Sequence, residues 1–211
     1  MVSVMDEVEP LRRVFARYVA SERLDSPVGA IAELVAKNEL ARDAVDRVLA
    51  EYNVTVSGTF RDGLLDLILD TVRISLQDHR LTAPEQQFFR ELKGYLRIPE
   101  GAFYKHRRGE IADLLSAQVT RMIDDGLVDL DESLLQVELQ RLFDLGYDQY
   151  LELTREPATR LIDGLIHHMT SDGRLTASEI DALEGQLKAL DRVYTFTHQQ
   201  RLALNRATRR S

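Results

Sequence analysis

Apolar residues recur along this chain at intervals of three and four positions, from one end of the sequence to the other. This spacing places them on one face of an α-helix, whereas a half-buried strand would alternate at every second residue. The pattern predicts an all-α protein. The longer stripes predict helices over residues 60–77, 82–97, 110–124, 130–145, 157–170, 176–190 and 195–208.

The N-terminal part of the chain carries shorter amphipathic stripes, which end where residues 52–58 introduce β-branched side chains and a glycine. Such a stretch indicates a linker or a short extended piece. We therefore divide the chain into an N-terminal helical arm, residues 1–56, and a helical bundle, residues 57–211. All five prolines fall near predicted helix ends, where the missing amide hydrogen matters least: Pro10, Pro27, Pro84, Pro99 and Pro157.

One eight-residue pattern occurs three times, with first residues 47 apart, at 78–85, 125–132 and 172–179. It reads Asp, then Gly or His, any residue, Leu or Val, Thr or Asp, two of any kind, and Glu. An amphipathic stretch flanks each copy. The pattern predicts a helix–turn–helix corner that is repeated along the bundle.

Backbone chemistry alone explains such a corner. A glycine can take the positive φ that closes a helix end, and a Thr or Asp followed three residues later by Glu can form a capping box that starts the next helix. An EF-hand calcium loop is the competing interpretation, but arginine and aliphatic residues would then occupy ligand positions, so we prefer capping. The corner residues with predicted structural roles are Asp78, Thr82, Glu85, Gly126, Glu132, Gly173 and Thr176.

The corners at 78–85 and 172–179 together resemble the TerB-like domains, a family named for a bacterial tellurite-resistance protein; the resemblance covers about residues 58–193. It implies a compact helical bundle whose acidic groups are suspected of binding metal, usually without known catalysis. The chain departs from the family pattern in three ways. His79 replaces the usual glycine, a further corner lies between the two expected ones, and residues 1–56 fall outside the match.

A divalent-cation site is the alternative use of the acidic corners, because clustered carboxylates repel one another and attract a cation. Asp163 also lies one helical turn before the His167–His168 pair. The simpler interpretation is that these polar groups occupy a solvated helix face, and we expect no cofactor. The candidate ligands are Asp125, Asp129, Asp131, Asp163, His167, His168, Asp172 and Glu179.

Composition narrows the class of function. The chain holds 35 acidic and 27 basic residues, a net charge of -8, which disfavours wholesale nucleic-acid binding. It contains no cysteine and no apolar run long enough to span a membrane, and its start is acidic where a signal peptide is basic, so we expect a cytoplasmic protein. Basic clusters at 105–108 and in the tail from Arg201 to Arg210 are typical of solvated helix ends.

Nucleophile elbows, phosphate-binding glycine loops and dinucleotide fingerprints are absent from the sequence. We therefore expect a non-enzymatic adaptor that binds a protein partner through helical faces, with apolar anchors in the arm and in residues 193–196. A homo-oligomer is an equally consistent use of such faces. The alternative function is a divalent-cation sensor or a metal-dependent enzyme.

Overall fold

The computed structural model describes residues 8–21, 26–78, 80–124, 130–170 and 197–202. Within those ranges the ordered segments are helical and no strand occurs, which confirms the predicted all-α class. None of the helices in these ranges is long and apolar enough to cross a membrane.

The helices follow one another with short connections. Their bounds are α1 Glu9–Ser21, α2 Pro27–Ala36, α3 Arg42–Glu51, α4 Gly58–Ser75 with a 3₁₀ turn Leu76–Asp78, α5 Ala83–Tyr95, α6 Ala102–His106, α7 Arg108–Asp124, α8 Leu130–Leu142 and α9 Tyr147–Thr170. Residues 198–202 are also helical. The helix predicted over 176–190 and most of the one predicted over 195–208 lie outside the described residues.

One predicted helix start was wrong, and one short helix was not predicted. The helix expected over 157–170 begins at Tyr147, so Pro157 lies inside α9 rather than near its start. The buried stripe of Tyr150, Leu153 and Ala158 runs past the proline, and burial of that face offsets the one backbone hydrogen bond that proline removes. The short helix α6 was not predicted, because five residues are too few to show a period.

The chain divides into two compact units. One comprises residues 1–110 and 138–145, and the other comprises residues 111–137 and 146–211. In the first unit α1 and α2, from the predicted arm, pack on α4. A Cβ added at Gly63 of α4 would lie 2.9 Å from Val28 Cγ2 of α2, so the glycine permits this close approach. The boundary predicted after residue 56 stays a prediction.

Phenylalanines fill much of the core of the first unit. The ring centroids of Phe103 and Phe143 are 5.3 Å apart in an edge-to-face arrangement, and both side chains are completely buried. Phe15 and Phe88 form a similar pair at 6.1 Å. The Phe103–Phe143 pair anchors the C-terminal end of α8 against α6. The second unit buries mainly aliphatic side chains, among them Ile111, Leu115, Leu135 and Leu153.

Four helices end in the same way, with a non-glycine residue in the left-handed region. Asn38, Asn53, Arg97 and Asp144 have φ values of 58°, 49°, 53° and 54°. At Arg97 and Asp144 the following amide closes the helix, with Ile98 N donating to Lys93 O at 3.1 Å and Leu145 N donating to Gln140 O at 2.8 Å. These bonds satisfy carbonyls that a helix end otherwise leaves without a donor.

The period of 47 residues seen in the corners also relates α5 to α8. Both helices have 13 residues, and their starts at 83 and 130 and their ends at 95 and 142 are offset by 47. The left-handed residues Arg97 and Asp144 share the same offset. The second helix of the first corner and that of the second corner therefore occupy equivalent positions along the chain.

Candidate binding pocket at α5 and the end of α8

The first corner forms a complete capping box. Thr82 N donates to Glu85 Oε2 at 2.8 Å, and Glu85 N donates to Thr82 Oγ1 at 3.4 Å. The other carboxylate oxygen of Glu85 accepts a hydrogen bond from Ser75 Oγ at 2.6 Å, and the Glu85 side chain is buried. Leu81, directly before the cap, is buried too. One oxygen of this acid thus joins α5 to α4 and the other caps α5, which makes Glu85 a structural group.

Most candidate metal ligands at the second and third corners lie outside the described residues: Asp125, Asp129, Asp172 and Glu179, together with the corner residues Gly126, Gly173 and Thr176. The backbones of Asp78, Asp131, Glu132 and His168 lie in helices, but their side chains are not described. The predicted roles of these residues stay predictions.

Among the candidate ligands, Asp163 accepts a hydrogen bond from Gln200, whose Nε2 lies 3.2 Å from Asp163 Oδ1. Gln200 is buried and forms a second capping box, in which Thr197 N donates to Gln200 Oε1 at 3.0 Å and Gln200 N donates to Thr197 Oγ1 at 3.2 Å. His167 is exposed. Across the ranges that the structure describes, no three His, Asp or Glu side chains are placed to hold a metal ion. The structure therefore assigns Asp163 the role of an acceptor for a helix-capping glutamine.

The basic segment 105–108 is tied to α4. Arg107 Nη2 donates to Asp66 Oδ2 at 2.9 Å and to the carbonyl of Asp62 at 3.1 Å, and Arg107 Nε also bonds to Asp66. The hydrogen bond and the charge of Asp66 raise the pKa of Arg107 above its usual value. Arg108 lies 5.2 Å above the ring of Tyr104, at cation–π distance.

His106 belongs to the same network. Arg61 Nη2 lies 3.2 Å from His106 Nδ1 and donates a 2.7 Å hydrogen bond to Asp62 Oδ1. Partial burial and then the positive charge of Arg61 lower the pKa of His106, so the imidazole stays neutral further into the acidic range and its Nδ1 lone pair accepts from the guanidinium. The hydrogen bond from Arg61 lowers the pKa of Asp62 in turn. The basic segment is thus a structural junction between α4 and α6.

A cavity of about 140 Å³ lies beside α5 and the last turns of α8, within the first unit. Its walls combine two leucines, one amide and five ionisable side chains. The residues that line it are Leu81, Gln86, Arg90, Lys93, Glu138, Arg141, Leu142 and Asp144.

Lys93 holds the inner wall of this pocket together. Its Nζ donates to Asp144 Oδ2 at 2.7 Å and to the carbonyl of Leu142 at 2.8 Å. The lysine and aspartate side chains are only 14% and 22% exposed. The ammonium therefore caps the C-terminus of α8, where the helix dipole favours a cation, and it fixes Asp144 in its left-handed conformation.

Glu138 and Gln86 line the pocket beside this pair. Gln86 Nε2 donates to the carbonyl of Leu81 at 2.9 Å. Burial raises the pKa of Glu138 above its usual value, although the hydrogen bond with Gln86 and the charge of Arg141 act in the opposite direction. The negative form of Glu138 is therefore less favoured here than in water.

Two exposed arginines complete the lining. Arg90 Nη1 donates to Gln87 Oε1 at 3.1 Å, which uses one of the five N–H donors of a guanidinium. Arg141 attracts Glu138 electrostatically, and within the described residues it makes no hydrogen bond. Within the described part of the chain, the two arginines of the pocket thus keep most of their donors uncommitted, unlike Lys93.

Of the residues that line the pocket, the sequence analysis had singled out only Leu81, which belongs to the first corner. Arg90 and Lys93 look like ordinary solvated positions of an amphipathic helix, and Asp144 follows a helix with no glycine to mark its end. The 47-residue offset between α5 and α8 was the signal that could have pointed to these two helices together, because equivalent helices of a repeat tend to pack in equivalent ways.

The chain matches no protein-family model, and neither the curated proteins nor the solved structures include a significant match to it.

Proposed function

We propose that this protein is a non-enzymatic adaptor, which binds a protein partner through helical faces and receives one side chain of that partner in the pocket beside α5 and α8. The pocket is the observation that carries the proposal. The resemblance to TerB-like domains and a cytoplasmic location belong to the same proposal, and they rest on the corner residues and on the lack of cysteine.

The size of the pocket favours a side chain over a metabolite. Small-molecule sites usually enclose about 300–1,000 Å³, whereas this cavity has about 140 Å³. A cavity of about 150 Å³ holds a single benzene ring, which is the scale of one protein side chain.

The chemistry of the pocket also favours binding over catalysis. Lys93, the most enclosed of its cations, already has two acceptors, Asp144 and the carbonyl of Leu142. Such pairing stabilises a fixed wall and leaves the amine unavailable as a nucleophile or a base, because both roles require a free lone pair. The remaining cations, Arg90 and Arg141, carry guanidinium groups, whose planar arrangement of donors suits the binding of carboxylates.

Site-specific photo-crosslinking tests the proposal. A photo-reactive amino acid replaces Gln87, which is exposed and contacts Arg90 at the pocket. The matched control carries the same amino acid in place of Arg47, an exposed residue of α3 with 77% of its side chain accessible. We expect a protein crosslinked from position 87 and not from position 47 in cells that express the chain naturally.

The crosslinked protein is then purified and titrated against the full-length chain. A saturable 1:1 complex that protects position 87 from labelling supports the proposal. Equal crosslinking from both positions, or a purified candidate that does not bind, would contradict it.

A further inference from the structure

We infer that the side chain received by this pocket is a carboxylate, an Asp or Glu from an acidic segment of the partner, held by the guanidinium groups of Arg90 and Arg141. The inference deepens the proposed function and rests on it.

The first argument is the unused hydrogen-bonding capacity of the two arginines. Arg90 makes one described hydrogen bond, to Gln87, and Arg141 makes none within the described residues. Guanidinium groups match carboxylates geometrically, since two parallel N–H groups can donate to the two oxygens. In the basic segment 105–108, by contrast, Arg107 already forms this bidentate contact with Asp66.

The second argument is charge. Three cationic and two acidic side chains line the cavity, a formal balance of +1 on a chain of net charge -8. Burial further disfavours the charged form of Glu138, which shifts the local balance towards positive. The lining is therefore locally complementary to an anion, although the whole molecule is not.

The type of anion follows from the acids already present. A phosphate dianion would leave the lining with a formal charge of -1, whereas a single carboxylate brings its balance of +1 to zero. The chain's overall negative charge likewise opposes nucleic acid. A monoanionic carboxylate is the anion that the balance of +1 neutralises.

The apolar part of the lining fits the rest of an acidic side chain. Leu81 and Leu142 supply aliphatic surface, against which the methylene groups of Glu or Asp can pack while the carboxylate reaches the arginines. A free C-terminus lacks such a stem on its carboxylate, so we assign the pocket to a side chain.

A peptide experiment tests the inference on the full-length protein. The probes are ten-residue peptides with varied flanking sequence and blocked ends, each made in four versions with Glu, Gln, Lys or phosphoserine at the centre. Binding is followed by fluorescence anisotropy. We expect the Glu versions to bind best, with about tenfold weaker binding for Gln, the size of one charge-assisted interaction.

Matched protein variants locate the effect. Arg90→Gln and Arg141→Gln should each weaken binding of the Glu peptides about tenfold, whereas Arg47→Gln, on a comparably exposed arginine outside the pocket, should leave it unchanged. Because both pocket arginines are exposed, the variants should keep their thermal unfolding midpoints, and a measured midpoint verifies this.

The inference is overturned if Glu and Gln peptides bind equally, if phosphoserine binds more tightly than Glu, or if no peptide binds at millimolar concentration. Partner crosslinking from position 87 separates this failure from failure of the proposed function. If crosslinking persists while the preference for Glu is absent, the adaptor function stands and the carboxylate assignment is wrong.

Discussion

The basic segment 105–108 and the pocket beside α5 and α8 contain similar cations that do different work. In the segment, Arg107 is fixed on Asp66 and on a backbone carbonyl of α4, and it is only 16% exposed. At the pocket, Arg90 and Arg141 are exposed, and among the residues that the structure describes they keep most of their donors. The sequence shows a dense basic cluster at the first site and scattered cations at the second.

The comparison shows that local charge density does not indicate which cations keep unused hydrogen-bond donors. A cation can bind a partner only with donors that the fold has not used. In the basic segment, Arg107 uses its donors to hold the junction of α4 and α6 together. The pocket arginines come from helices distant in sequence, so only tertiary packing brings them together. Variants at both sites test this difference.

The largest expected effect is the loss of stability on substituting Arg107 by alanine. The variant removes a bidentate ion pair with Asp66 and a bond to the Asp62 carbonyl, so we expect the free energy of unfolding to fall by about 2 kcal/mol. Urea denaturation followed by circular dichroism measures it. Arg47→Ala is the control, since its ion pair with Asp43 is fully surface exposed and should contribute less than about 0.5 kcal/mol.

Binding of the Glu peptides should be unaffected by Arg107→Ala at temperatures where the variant is folded. A change in stability below about 0.5 kcal/mol, or weakened peptide binding, would remove the distinction between the two sites.

The next effect concerns the inner wall of the pocket, where Asp144 combines a positive φ of 54° with an ion pair to Lys93. Asp144→Ala loses the ion pair and keeps the backbone strain, so we expect it to destabilise by about 1.5 kcal/mol. Asp144→Gly loses the same pair but relieves the strain, and it should be more stable than the alanine variant by about 1 kcal/mol. Equal thermal midpoints for the two variants would show that the left-handed conformation is not strained.

The helices and the first corner could be predicted from the sequence, because both follow from local chemistry. Apolar spacing predicts a helix, and the spacing of Thr82 and Glu85 matches the reciprocal bonds that the structure contains. The hydrogen bond from Ser75 to Glu85 could not be predicted in this way, since it depends on the angle between two helices.

The pocket could not be predicted for the same reason. Lys93 and Asp144 are 51 residues apart, and nothing local indicates that they meet. The helix end at Asp144 also lacks the glycine or asparagine that marks a left-handed residue, because the ion pair with Lys93 compensates for an unfavourable backbone. Pro157 had the opposite effect on prediction. A proline is a strong local signal for a helix start, but here the helix continues through it because the face of α9 around it is buried.

A smaller effect is expected at Glu138, whose pKa burial raises above its ordinary 4.5. Below that value the carboxyl is protonated in both the folded and the unfolded chain. As the pH rises from there through the raised pKa, the unfolded chain ionises first, so the folded protein loses stability. The glutamine of Glu138→Gln does not titrate. We therefore expect the free energy of unfolding of this variant to exceed that of the natural protein by about 0.5 kcal/mol at pH 7 and to equal it at pH 4. The difference is small because the side chain is partly exposed.

Thermal unfolding at the two pH values measures this difference. Glu156→Gln is the control, because the 78% exposed side chain of Glu156 should show no comparable dependence. If Glu138→Gln were less stable than the natural protein at pH 7, the attraction between Glu138 and Arg141 would outweigh the cost of burial. Arg141 would then be engaged by Glu138, as Arg107 is by Asp66, and the contrast between the two sites would weaken.

The smallest effect is a displaced titration at His106. Burial and the charge of Arg61 lower its pKa below the ordinary 6.5, while Asp62 acts to raise it. A lowered pKa means that the linked stability is present above pH 6.5 and is lost as the pH falls through the pKa of the folded protein. An NMR titration of the imidazole protons, assigned with His106→Gln, should give a value below 6.5, and Arg61→Gln should move it upwards. A value at or above 6.5 in the natural protein would mean that Asp62 prevails and that the imidazolium is held as an ion-pair partner. Arg61 would then be displaced from Nδ1, and the basic segment would carry an uncommitted guanidinium of the kind found at the pocket.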